Sequence, residues 1–444
     1  MSLTSRNAAS FAIVVAATGL AVATLLGGCG SLFPGATPSN SAGGSTGNNG
    51  AGGMTGGGSG GAAGAAMPVM KPSSNYPQNT AGGMFPYPQG HALPHCTFPA
   101  YDTDKVAAAY TAWKAKFFDG NRVFRPENNN DTVSEGIAYG MLIGVYMNDK
   151  PLFDALWTYA RTKLDGNGLM TWHWSSTTTI LDQGGATDGD QDMAWALLMA
   201  DKQWPTGGYL SPATTLIGNI YSHEVDSGGV LKPGDNFGGA NQTNPSYFAP
   251  SYYRVFARVT NQPGWMNVLN TTYSILNKAA GTYGLVPNWV NSSGAGVASP
   301  GSDGTGPYFG YDACRTPWRI ALDWCENGEP QAHDYLEKIV GFFSMKSASG
   351  GLGLIRDGYT NAGAMPTGTT SNLGGYPAGM AFIGPAGVAA MDGNHNDFAA
   401  QIYAALVFDT STLLNSNGIF TYYHGSWGTL SLLTMSGNFW DMTQ

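Results

Sequence analysis

The chain has 444 residues and a formal net charge of -9, with 11% charged, 43% hydrophobic and 12% aromatic residues; about 25% charged is ordinary for a globular protein. A disordered chain combines low hydrophobicity with high charge, so disorder of the bulk is excluded. A nucleic-acid binder needs a basic face and is excluded too, whereas low charge with many Tyr, Trp, Asn and Gly suits a neutral, hydroxyl-rich ligand such as a sugar.

The first element is a targeting segment. Arg6 precedes an apolar run over residues 8–26, which ends in Leu26-Gly27-Gly28-Cys29. A charged start, an apolar stretch and small residues before a cut describe a secretory signal over residues 1–28. The ending resembles a bacterial lipobox, whose cysteine becomes the lipidated first residue. Gly30, rather than Asp, resembles the pattern that sorts Gram-negative lipoproteins to the outer membrane. An ordinary signal peptide with an incidental Cys29, or a true membrane anchor, are the alternatives. Residues 29–75 are dominated by Gly, Ser, Ala, Asn and Thr, a composition that cannot bury a core and acts as a flexible tether. The folded part is therefore expected over 76–444, a monomer touching membrane only through a lipid at Cys29.

From there the chain alternates helical runs with Gly- and Asn-rich loops. Helices are predicted at 104–119, 134–147 (opened by Ser134 as a cap), 151–164 (with Pro151 in its first turn), 190–204, 211–225, 249–260, 264–280, 316–325, 330–346, 384–391, 395–408 and 425–435. Strand-like alternation is scarce, and Leu169–Trp174 is the piece that could pair near a surface. A dozen helices joined by long loops suggest stacked hairpins and fit an all-α (α/α)6 barrel, although an open solenoid would read similarly. After Cys29 come Cys96, Cys314 and Cys325. If Cys314 and Cys325 share a helix they lie roughly 16 Å apart and cannot bond to each other, which leaves one pair involving Cys96 open in an oxidising compartment. No spacing supports a metal site. His91 and His95 are separated by the helix-breaking Pro94 and read as loop histidines.

Three carboxylate stretches stand out from uncharged, aromatic surroundings. Glu135 follows Ser134 at a helix start, where the bland role is to cap the helix. Asp188, Asp190 and Asp192 precede an apolar helix; one cap would explain one of them, and like charges this close repel. A calcium loop starting at Asp188 would need glutamate at its twelfth position, which is Met199. Asp312 has Arg315 three residues on, which as a surface pair would be worth little. Glycosidic cleavage asks for such groups: an acid that protonates the leaving oxygen, kept protonated by an apolar pocket, and a second carboxylate working from the other face. A helix-start glutamate near Tyr139, Met141 and Trp172 suits the acid, and an aspartate kept charged by an arginine suits the base. Trp172, Phe237 and the pair Tyr422-Tyr423 are candidates to stack on sugar rings, with core packing as the alternative for each.

The run ATDGDQDMAWALLMADKQW at 186–204 looks like the signature of glycoside hydrolase family 8, the bacterial endoglucanases also called cellulase family D. The likeness continues in order through SEGIAYGM at 134–141, GNGLMTWHW at 166–174, LKPGDNFGG at 231–239, TNPSYFAPSYYRVFA at 243–257, GLVPNW at 284–289 and YDACR at 311–315. The resemblance covers residues 90–440. It implies an (α/α)6 barrel, hydrolysis of β-1,4-glycosidic bonds with inversion, and no cofactor or metal. It also implies Glu135 as general acid, Asp312 as general base and Asp188 as a group orienting the reacting sugar, with Trp172, Phe237, Tyr247, Tyr311, Arg315 and Tyr423 binding substrate. The chain departs from the family pattern at Asn288, where Asp is usual, at Phe237, where some relatives carry Trp, and at Cys314, where Thr is usual. The expected enzyme is an endo-β-1,4-glucanase. A xylanase or chitosanase on the same scaffold, a hydrolase trimming cellulose during its synthesis, and a non-catalytic sugar-binding lipoprotein are the rivals.

Overall fold

The structure is a computed structural model that describes residues 82–444 apart from 302, 368–372 and 413–420. The signal, Cys29 and the tether lie outside the described residues. Twelve α-helices appear among the described residues: α1 (Thr103–Phe117), α2 (Ser134–Tyr146), α3 (Lys150–Arg161), α4 (Thr187–Gln203), α5 (Leu210–His223), α6 (Pro250–Thr260), α7 (Gly264–Ala279), α8 (Thr316–Asn327), α9 (Pro330–Ser347), α10 (Met380–Ala389), α11 (Asn396–Thr412) and α12 (Tyr422–Met435).

They form six hairpins in two layers. The even-numbered helices make an inner ring, in which α2 packs on α4, α6 on α8, α8 on α10 and α10 on α12. Trp195 of α4 stacks on Tyr252 of α6 with ring centroids 4.0 Å apart, and α12 packs on α2. The ring is therefore closed, an (α/α)6 barrel rather than an open solenoid. Outer helices show one apolar stripe; α3 buries Leu152, Phe153, Leu156, Tyr159 and Ala160 and exposes Pro151, Thr158 and Arg161. Inner helices α10 and α12 have no solvent face; every residue of each is buried. Hydroxyls of α12 turn back onto carbonyls of their own helix, as Thr429 does to Gly425 O at 2.8 Å and Thr434 to Leu430 O at 2.9 Å, which pairs these two donors despite their burial.

Three helix starts differ from the predicted ones by more than one residue. Helix α4 begins at Thr187, which puts Asp188 inside its first turn. Helix α10 begins at Met380 and carries Pro385 inside; one lost amide bond is outweighed by a helix buried on all sides. Helix α12 begins at Tyr422 and is capped by Thr421, whose hydroxyl accepts from the His424 amide. Ser134 is not a cap. It is the first helical residue, entered from a strand, and its amide donates to Trp172 O at 2.8 Å. That strand, β1 (Thr132–Val133), pairs antiparallel with β2 (His173–Trp174), which pairs with β3 (Ile180–Asp182); only the last two residues of the predicted Leu169–Trp174 piece are strand.

Cys96 and Cys325 form a disulfide, tying the N-terminal segment to the far end of α8, while Cys314 is free and buried. The same segment is held by His91, whose ring stacks on Trp440 at 3.8 Å and whose amide donates to Gly437 O at 2.6 Å. His91 and His95 are loop residues.

Candidate active site

Inner helices α2 and α4 and the turn before α8 deliver three carboxylates to one guanidinium. Arg315, 1% exposed, lies in a 3-10 turn (Ala313–Arg315) leading into α8. Its Nη1 donates to Asp188 Oδ2 at 2.6 Å, to Glu135 Oε2 at 3.1 Å and to Tyr139 OH at 3.1 Å. Its Nη2 donates to Ser246 Oγ at 2.8 Å and to Asp312 Oδ1 at 3.3 Å, and its face lies over the Tyr247 ring at 5.1 Å. This is no surface pair between Asp312 and Arg315. One planar fork spans the site, and it keeps the nearest oxygens of Glu135 and Asp312 within roughly 9 Å of each other.

Local packing explains how Glu135 and Asp188 meet. A Cβ on Gly189 would sit 2.7 Å from Ser134 Oγ and 3.1 Å from the Glu135 amide. Glycine there lets the first turn of α4 lie against the first turn of α2. None of the three clustered aspartates caps α4; each has its own partner. Asp188 binds Arg315, Asp190 Oδ1 accepts from the Met170 amide at 3.0 Å, and Asp192 makes a two-bond pair with Arg319. That last pair lies behind the first, joined to it through Ser246, whose carbonyl accepts from Arg319 Nε at 3.3 Å.

The electrostatics separate the carboxylates. Burial raises the Glu135 carboxyl to about 7; Arg315 pulls it down, and Asp188 and Asp312 push it up. One guanidinium cannot neutralise the buried Asp188 and the half-buried Glu135 and Asp312 together, so a retained proton relieves the excess negative charge. Glu135 is also contacted by two phenols: Tyr139 OH donates to Oε2 at 3.2 Å and Tyr422 OH to Oε1. The side chain does not cap α2. Asp312 is raised to about 6, again by burial first, with Arg315 and the Trp289 indole opposing; Trp289 Nε1 donates to Asp312 Oδ2 at 3.1 Å. Arg315 was expected to hold Asp312 charged. Burial outweighs it, yet about 6 still leaves the group ionised at pH 7.

A model of the family described as Glycosyl hydrolases family 8 matches residues 91–411. The chain belongs to this family. Endoglucanase 2 of Ruminiclostridium josui is 35% identical over 382 residues, covering 81% of this chain and 78% of that protein. Endoglucanase A of Acetivibrio thermocellus is 37% identical over 356 residues, covering 76% and 70%. Among solved structures, the apo β-1,3-1,4-glucanase from Paenibacillus sp. X4 superposes with a TM-score of 0.71 at 30% identity, covering 80% of this chain and 99% of that one. A cold-adapted family 8 xylanase in complex with substrate, at 22% identity and a TM-score of 0.63, shares the fold. The protein is thus a glycoside hydrolase.

The aromatic candidates of this family 8 chain fall in different places. Trp172 is half-buried and stacks on His173 with centroids 4.6 Å apart. Phe237, also half-buried, lies 6.4 Å from Trp289. Tyr311 is half-buried beside Asp312. Tyr247 and Tyr423 are buried: the first lies under the Arg315 guanidinium, and the second donates to Tyr311 O at 2.6 Å. Sequence reasoning took Tyr422 for a stacking candidate, but it is buried against Glu135. It missed Ser246 and Trp289 altogether. Their only signal was membership in the blocks around 246 and 289, which gives no direction for a side chain.

Proposed function

We propose that this enzyme is an inverting endo-β-1,4-glucanase acting on cellulose or related glucans, with Glu135 as general acid and Asp312 as general base. The observation that carries the reading is the convergence of Glu135, Asp188 and Asp312 on Arg315. Burial raises the Glu135 carboxyl to about 7, so it can hold the proton that the leaving oxygen needs.

Protonated Glu135 gives its proton to the glycosidic oxygen as the bond from that oxygen to the anomeric carbon breaks. Ionised Asp312 takes a proton from a water whose oxygen bonds to the same carbon from the opposite face. Arg315, Tyr139 and Tyr422 then hold the newly ionised Glu135 by charge-assisted hydrogen bonds. Asp188, fixed by the shortest bond from Arg315, orients and polarises the sugar that reacts. Trp172, Phe237 and Tyr311 are the half-buried rings available for stacking. The cycle closes as Asp312 loses its proton to solvent and Glu135 regains one.

Relatives at 35–37% identity are named endoglucanases, and the solved structure at 30% identity is a β-1,3-1,4-glucanase; these names support a glucan over a xylan. Reducing-sugar release from carboxymethyl-cellulose, mixed-linkage glucan, xylan and chitosan tests the choice. The glucans should be cleaved fastest, and preferential cleavage of xylan or chitosan would replace the substrate assignment.

The same reading places the enzyme outside the cytoplasm as a monomer, exported by residues 1–28, lipidated at Cys29 and held off the outer membrane by the 29–75 tether. Its support is the Leu26-Gly27-Gly28-Cys29 pattern and the Cys96–Cys325 disulfide, a bond that suits an oxidising compartment. Cys29→Ala should release an active enzyme from membranes. A wild-type protein already found free of membranes would leave only the ordinary signal peptide.

A further inference from the structure

We propose that Asn288 is a positioning residue for the base: its side-chain amide clamps the turn that presents Asp312 to the attacking water. The proposal rests on the assignment of Asp312 made above.

Asn288 is buried, 2% exposed. Its Oδ1 accepts from the Gly310 amide at 3.0 Å and from the Ala313 amide at 2.9 Å. These two amides bracket Tyr311 and Asp312, so one oxygen fixes both ends of the short segment that carries the base. Its Nδ2 donates to Thr305 O at 3.2 Å, and its own amide donates to Tyr308 O at 2.7 Å. The next residue, Trp289, holds Asp312 Oδ2 directly. Two neighbours in sequence thus grip the base from two sides, one through its backbone and one through its carboxylate. The approach is close: a Cβ on Gly310 would sit 2.8 Å from Asn288 Nδ2.

The amide suits this place better than a carboxylate. It supplies an acceptor for two amides and a donor for a carbonyl in one planar group. A carboxylate at 288 would keep the two acceptances, lose the donor to Thr305 O and add a negative charge beside the base. Asp312 already faces Asp188 and Asp303, which disfavour its ionised form, and Arg315 and the Trp289 indole, which favour it; Glu135 draws on the same Arg315. Another like charge would make Asp312 harder to ionise.

The test measures kcat, KM and the pH profile of kcat/KM on a soluble β-glucan for the wild type, N288A, N288D and D312N, with circular dichroism on each. N288A should lower kcat by about 10- to 100-fold, the scale of a small misplacement of a catalytic group, with KM unchanged. N288D should retain more kcat than N288A and move the acidic limb of the profile to higher pH. Wild-type kcat in N288A, or a loss confined to KM, overturns the proposal. If N288A fails to fold, N288D decides alone: an unmoved acidic limb overturns it. Activity surviving in D312N would sink the base assignment itself, whereas an inactive D312N beside wild-type-like N288A and N288D sinks only the role of Asn288.

Discussion

Arg315 and Asp188 are joined by a 2.6 Å bond from Nη1 to Oδ2, and the same nitrogen reaches Glu135 Oε2 at 3.1 Å. Asp188 and Glu135, the proposed orienting group and acid, are thus held by one atom, with Asp312, the proposed base, on the other arm of the fork. Losing the charge altogether would leave the buried Asp188 without its cation, at a cost of about 3–5 kcal/mol, and the half-buried Glu135 and Asp312 beside it. Arg315→Ala should therefore unfold at a markedly lower temperature. Arg315→Lys keeps the charge and loses the fork; it should fold while kcat falls by about 100-fold, on the scale of a slight misplacement. Thermal unfolding and steady-state kinetics check the two halves separately.

The proposed mechanism needs Asp312 ionised and Glu135 protonated. With carboxyls at about 6 and about 7, kcat/KM should rise with pH through about 6 and fall through about 7. The narrow bell belongs to the pair, because the two groups share Arg315 and feel each other's charge. A plateau from pH 5 to pH 9 would mean that neither group limits the reaction.

The two carboxylates differ in what can replace them. With an activated aryl leaving group that needs little protonation, Glu135→Gln should recover much of its rate, and Asp312→Asn should not. On a polysaccharide both should lose roughly 10²–10⁴-fold in kcat, the usual contribution of acid–base catalysis. The comparison of the two substrates is the measurement, and equal rescue of both variants would remove the distinction in roles.

Trp172 is tied into the fold by its backbone: its amide donates to Gly184 O at 3.0 Å and its carbonyl accepts from Ser134. Those bonds survive truncation of the side chain. Trp172→Ala should therefore keep most of its stability and bind oligosaccharide more weakly, by about 1–3 kcal/mol if stacking on a sugar resembles stacking on a base. Calorimetric titration paired with a melting curve checks this; a large drop in melting temperature with unchanged affinity would make the ring part of the core.

Glu326 offers a test of the fold's own electrostatics. It is buried, accepts from Ser251 Oγ at 2.7 Å and from the Asp441 amide at 3.0 Å, and is pushed up to about 8 by burial, with Asp441 adding to the rise. A carboxyl raised on folding binds its proton more tightly in the folded state. Its contribution is full below its unfolded value and is lost as pH rises toward about 8. Glu326→Gln should flatten the fall in stability between pH 5 and pH 8, measured by denaturant unfolding.

The twelve helices were legible because each had a pattern of its own, and errors gathered where tertiary burial overrides local rules, as at Pro385. The residues Glu135, Asp188 and Asp312 were legible as motifs. Their meeting at Arg315 was not: Arg315 lies 180 positions from Glu135 and 127 from Asp188, and only closure of the ring brings them together. The Cys96–Cys325 bond, 229 residues in separation, was left open for the same reason. In the sequence Asn288 is only a departure from the family pattern. In the fold its side chain bonds to residues 305, 310 and 313, and the role proposed for it depends on where those residues end up.

The central claim is inversion by a separate acid and base around one arginine. The decisive measurement is proton NMR of the first sugar ends released from a β-linked glucan, recorded before mutarotation. The account predicts the α-anomer first, because a water activated by Asp312 attacks opposite the bond that Glu135 breaks. The β-anomer appearing first would mean retention, would make one of the carboxylates a nucleophile, and would contradict the roles given to both.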